Sequence, residues 1–147
     1  MNLWQLFALI VIVDALGIFL LFLVLRKKRG GTILAQFADK TVVRSCSSAN
    51  FFGQQSRGCM QVRGNGELVL TADELFYEMW IPKKQLRIPR SSITNVSKVY
   101  AHLMKSCGFP LLKVEFTNAD GQADAAAWLV RDLPAWMDDL KPAAGAK

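Results

Sequence analysis

From Leu3 to Leu25 the chain is apolar at every position except Gln5 and Asp14, and the run stops at Arg26-Lys27-Lys28-Arg29. At about 1.5 Å of rise per helical residue, such a run is long enough to cross the roughly 30 Å hydrocarbon core of a bilayer. A cleaved signal peptide is the competing reading. Three features count against it: no Lys or Arg precedes the run, the run exceeds a signal core of about 7–15 residues, and no small-x-small site follows between Arg26 and Ala38. The expectation is a single-pass anchor in a cell (inner) membrane. Because basic residues are retained inside and only Met1-Asn2 precede the run, the N-terminus is expected outside and the rest of the chain in the cytoplasm. Arg26, Lys27, Lys28 and Arg29 would then sit among the lipid headgroups.

Asp14 falls near the middle of the run, where a charged carboxylate costs about 2.5–3.5 kcal/mol. Two readings stand. Asp14 makes a polar contact with a partner helix, including a second copy of this one, with Gly17 allowing close backbone approach; or it is a protonated acid carried by its apolar surroundings. The first reading implies a homo-oligomer through the helix.

The three cysteines, Cys46, Cys59 and Cys107, are odd in number and widely spaced, so they form no disulfide framework, in keeping with a reducing compartment. No paired ligand spacing accompanies them, and neither a metal nor a cofactor is expected. His102 is the sole histidine, and no nucleophile motif accompanies it. With no glycine-rich phosphate loop and no paired acids framing the histidine, the expectation is a non-enzyme.

Residues 26–57 read as a basic juxtamembrane segment and linker, with Phe51-Phe52 either inserting at the lipid interface or, the favoured role, covering the core of the next domain. From Gly58 the period becomes that of strands. Met60 to Arg63 leads through Gly64-Asn65-Gly66, read as a turn, into Glu67 to Thr71. Further strands are expected at Glu74 to Trp80, Gln85 to Ile88, Ile93 to Tyr100, Leu111 to Thr117 and Ala123 to Val130. Asp132 is placed to cap a closing helix in which Leu133, Trp136, Met137 and Leu140 share one face, and Pro142 ends it. The tail, 142–147, is expected to be disordered. The fold class is therefore mainly β: an N-terminal helix, then six or seven antiparallel strands in a curled sheet over 58–141, closed by a short helix.

The order Gly66-x-Leu68-x-Leu70-Thr71, Leu75-x-Tyr77, Leu86-x-Ile88-Pro89, Ile93-x-x-Val96, Leu112-x-Val114-x-Phe116, Trp128 and a helix bearing Trp136 resembles a bacterial membrane-anchored pleckstrin-homology-like, or GRAM-like, domain over about Gly58 to Lys141. The resemblance implies a partly open barrel plugged by a C-terminal helix, although the helix here is only two to three turns. Folds of this kind serve lipid binding, peptide binding and scaffolding alike.

Charge narrows the choice. No acidic residue lies between Glu78 and Glu115, while Lys83, Lys84, Arg87, Arg90, Lys98, Lys105 and Lys113 are all basic. The leading expectation is a membrane-tethered interaction module for a protein partner, with an exposed strand edge accepting an extended peptide. One alternative is binding of anionic headgroups through the basic 83–113 stretch, with Lys83, Lys84, Arg87, Arg90, Lys98 and Lys105 as contacts; against it, the same pattern describes any solvated strand face. A second is a non-catalytic subunit of a membrane enzyme complex. Nucleic acid is not an expected partner, because much of the net +6 charge comes from Arg26 to Arg29.

Overall fold

A computed structural model of the chain describes residues 1–141, apart from the side chains of Arg26 and Arg29. The expected tail, 142–147, lies outside the described residues. The chain forms two units, Met1–Gln36 and Phe37 onward.

The first unit is one helix, α1 (Leu3–Ala35). Gln5, a polar residue inside the apolar run, serves its start: its Oε1 accepts from the Asn2 backbone N–H at 2.9 Å. The stretch Leu3–Leu25 is long and apolar enough to cross a membrane. Gly30-Gly31 does not end the helix, which continues for another turn.

The second unit is a seven-stranded antiparallel sheet, β1 (Val42–Gln54), β2 (Gly64–Thr71), β3 (Glu74–Met79), β4 (Lys84–Pro89), β5 (Ile93–Val99), β6 (Leu111–Thr117) and β7 (Ala123–Leu129), followed by α2 (Leu133–Leu140). The strand order is β4-β3-β2-β1-β7-β6-β5, with β4 and β5 at the edges. One face carries the core. Leu68 and Leu70 of β2 stand opposite Tyr77 and Leu75 of β3, which in turn stand opposite Leu86 and Ile88 of β4, as the two-residue period dictates. The same cluster takes in Ile93 of β5, Val114 of β6 and Trp128 of β7, so the sheet curls until strands from its two ends share one interior. Leu133, Trp136 and Leu140 of α2 close that interior. The edges meet at a single 3-10 turn, Arg90–Ser92, without pairing.

Three local expectations are corrected. The segment 26–57 is not a linker throughout, because β1 occupies Val42–Gln54 and is the middle strand, paired to both β2 and β7. Phe51 and Phe52 accordingly point to opposite faces of β1, both buried. Gly64-Asn65-Gly66 is not a turn but the start of β2, pairing with Phe51, Asn50 and Ala49; a Cβ on Gly66 would lie 2.1 Å from the Glu78 carbonyl oxygen, so glycine is needed for close strand approach. Asp132 stands at the start of α2 but in a left-handed conformation, φ 56°, and its side chain makes no cap. Its carboxylate lies 4.0 Å from Arg44 instead.

Candidate functional site

The basic stretch does not form one surface. Arg90 ties α2 to the sheet, donating to the Asp139 carbonyl and, at 3.4 Å, to that of Thr71. Arg87 pairs with both carboxylate oxygens of Glu74, at 3.0 and 3.1 Å, and lies 4.5 Å from the centre of the Phe76 ring. Burial tends to raise the Glu74 pKa, but the pairs with Lys40 and Arg87 outweigh it and leave it below the usual carboxylate range. Lys83 reaches Glu78 at 3.8 Å, Lys105 donates to the Gln61 carbonyl at 2.7 Å and Lys113 pairs with Glu115 at 2.7 Å. Lys84 and Lys98 make no ion pair among the described residues, and they stand on the two opposite edge strands. In the other unit, Asp14 and Gly17 share a face of α1 at i, i+3 spacing, and Lys27 and Lys28 are exposed; Arg26 and Arg29 lie outside the described side chains.

Beside Lys98 the fold makes something the sequence reading did not contain. The free edge of β5 runs next to α2, and between them lies a groove of about 290 Å³ lined by Lys98, Leu133, Pro134, Met137, Asp138 and Lys141. Its origin is local. Lys98 stands opposite Leu112, a core residue, so its stem leans over the interior where α2 closes it. Met137, at the margin of the apolar face of α2, is only partly buried and contributes a flexible thioether. Lys141 is paired with Asp138 at 2.8 Å, while Lys98 makes no ion pair among the described residues and lies 6.0 Å from the centre of the Tyr100 ring. The helical spacing of Leu133, Trp136, Met137 and Leu140 carries the signal for an apolar face, but spacing alone assigns all four to the core.

Three titratable side chains, Asp124, His102 and Glu67, are buried in the sheet domain. Asp124 is buried and accepts from Ser56 N and Oγ, Gln54 Nε2 and Ala125 N. Burial tends to raise its pKa, and these donors together bring it below the ordinary value. His102 is buried with Nε2 unpartnered; desolvation lowers its pKa, opposed by a hydrogen bond to the Gly53 backbone and reinforced by Lys113 and Lys105. Glu67, buried, has a raised pKa because desolvation outweighs the Ser47 hydrogen bond at 3.2 Å. Among the described residues, no three His, Cys, Asp or Glu side chains converge as metal ligands, and Cys46, Cys59 and Cys107 are free thiols.

No family model and no curated protein matches the chain. A solved structure does: the C-terminal domain of an unknown protein from Leishmania infantum, 16% identical, with a TM-score of 0.51 over 76% of this chain and 97% of that one. At that identity the likeness concerns the fold alone.

Proposed function

We propose that this protein is a membrane-tethered interaction module whose β5 edge and α2 groove receive an extended peptide segment of a protein partner. The single observation that carries the reading is the coincidence of an unpaired strand edge with an apolar groove beside it. The edge offers backbone donors and acceptors, and the groove offers a place for an anchoring side chain, which is how β-strand addition obtains affinity and specificity separately. Lys98 at the groove selects for an acidic residue next to that anchor. Leu3–Leu25 is the tether, with Arg26 to Arg29 holding the domain on the cytoplasmic side. The strand order ending in a core-closing helix supports a pleckstrin-homology-like architecture for the module. Headgroup binding through the basic stretch is less well supported, since Arg90 and Arg87 are engaged within the fold and Lys84 and Lys98 stand on opposite edges.

The test is a selection from a random peptide library against the full chain in nanodiscs. Selected peptides are expected to share an apolar residue beside an acidic one, and to lose binding to Lys98→Glu and Pro134→Glu, both exposed positions, while binding Asp120→Lys as before. Peptides that bind all of these variants equally would overturn the assignment.

A further inference from the structure

Where the 55–63 and 100–110 loops meet, the domain exposes large apolar side chains that its own core does not use. Met104 is 95% exposed, Met60 93% and Val62 59%. The two loops are bound together. Leu103 Cδ1 and Gln61 Nε2 both lie over Gly53, within 2.8 and 3.3 Å of where a Cβ would stand, and Lys105 Nζ donates to the Gln61 carbonyl at 2.7 Å. Met60 and Met104 therefore each adjoin a residue of the joint. The joint is held from beneath: Gln61 Nε2 donates to the Gln54 carbonyl, while its Oε1 accepts from Gln54 N at 3.0 Å.

The turn that presents Met104 is unusual in its residues. His102 and Lys105 exchange both backbone hydrogen bonds, at 2.9 and 3.0 Å, so Leu103-Met104 is a two-residue hairpin turn with φ of 49° and 62°. Asn-Gly is the relaxed choice for such a turn, and two L-residues with bulky side chains are strained there. Leu103 recovers part of that cost by packing over Gly53. Met104 recovers nothing within the domain. Cations neighbour these residues in the sequence: Arg57, exposed, precedes Met60 and Lys105, at the joint, follows Met104, while Arg63 sits over the Phe52 ring at 3.9 Å and bonds Asn50.

We infer that the joined 55–63 and 100–110 loops form a second membrane contact, with Met60, Val62 and Met104 inserting into the acyl boundary of a bilayer and Arg57 and Lys105 meeting anionic headgroups. The occupant is a lipid bilayer, because apolar tips with cations next to them in the chain complement an apolar interior beneath a negative surface, and a flat interface accepts flexible thioethers without a shaped pocket. The contact is independent of the peptide groove, whose residues it does not share, but it rests on the tethered reading for the bilayer's being at hand.

The experiment uses the full chain in liposomes of phosphatidylcholine with and without phosphatidylglycerol, in a Cys59→Ser, Cys107→Ser background. A polarity-sensitive fluorophore is placed at Met60→Cys, Met104→Cys or, as the control, Asp120→Cys in the β6–β7 turn. Flotation with the liposomes reports the anchor separately. With the chain floating, the labels at 60 and 104 are expected to shift to the blue and to be quenched by nitroxide-bearing lipid, more strongly with phosphatidylglycerol, and the label at 120 to do neither. Labels at 60 and 104 that remain in water, or that shift without quenching by the lipid nitroxide, overturn the inference; the latter result means the tips are covered by protein. Failure to float overturns the tether and this contact with it.

Discussion

Replacing Gly66 by alanine should destabilise the domain, although alanine in place of glycine normally favours an extended chain. Where space allows, Gly→Ala gains about 0.4–1 kcal/mol by restricting the unfolded state. At Gly66 the new methyl would stand 2.1 Å from the Glu78 oxygen and 2.8 Å from the Met79 Cα, and neither can step aside as a side-chain end could. Relief has to come from moving β3 away from β2. The Gly66–Met79 pair ends that ladder, and just beyond it the Trp80 N–H donates to the Asn65 carbonyl at 3.0 Å. Peeling this end forfeits that bond, about 1 kcal/mol, and disturbs the packing of the fully buried Met79, for which strain of about 1–3 kcal/mol is usual. The expected loss is about 2–4 kcal/mol. Urea unfolding of the solubilised chain, followed by the fluorescence of the buried Trp128 and Trp136, measures it. Gly64→Ala should cost less, since its methyl meets only the flexible Met79 side chain. A Gly66→Ala midpoint equal to or above that of the natural chain would refute the account of β2–β3 approach.

Two further outcomes are expected. Met104→Gly should raise stability by about 1 kcal/mol, seen as a higher thermal midpoint, because glycine adopts the turn's positive φ without strain and the exposed methionine contributes no packing. The lowered pKa of His102 means that the folded state binds a proton less readily than the unfolded one. Its contribution to stability is thus complete above the unfolded value near 6.5 and is lost as pH falls through the window below it. Denaturant midpoints at pH 7.5 and 5.5 should show a larger drop for the natural chain than for His102→Phe, and equal drops would refute the burial of a neutral imidazole.

Strands with undisturbed alternation were legible. Leu112, Val114 and Phe116 of β6 lie on the core face as their spacing requires, and so do Leu133, Trp136 and Leu140 of α2. The middle strand was not legible, for a physical reason. β1 contains three register shifts, at Val42/Arg44, Ser47/Ala49 and Phe51/Gly53, with φ of 80° at Ser48 and 124° at Gly53. Each inserts a residue and reverses which parity faces the core, so Cys46, Ala49 and Phe51 all point inward without a single period. Gly64-Asn65-Gly66 failed for the converse reason: a turn-like composition arises wherever backbones crowd. The groove required knowing that Lys98 and Met137, distant in sequence, border the same opening. A charge pattern does not show that Arg90 and Lys105 each donate to a backbone carbonyl of the fold.

The placement of β1 has a mechanical consequence. The chain leaves α1 and enters the sheet through its middle strand, with three strands on either side. Tension arriving through that connection meets the ladder to β2, from Val42 to Phe51, and then the ladder to β7, from Asn50 to Gln54, so freeing β1 means shearing both. A strand at the margin would instead unzip one bond after another. The free edges β4 and β5 are each three strands from the loaded one, so a partner seated at β5 would be insulated from drag on the tether.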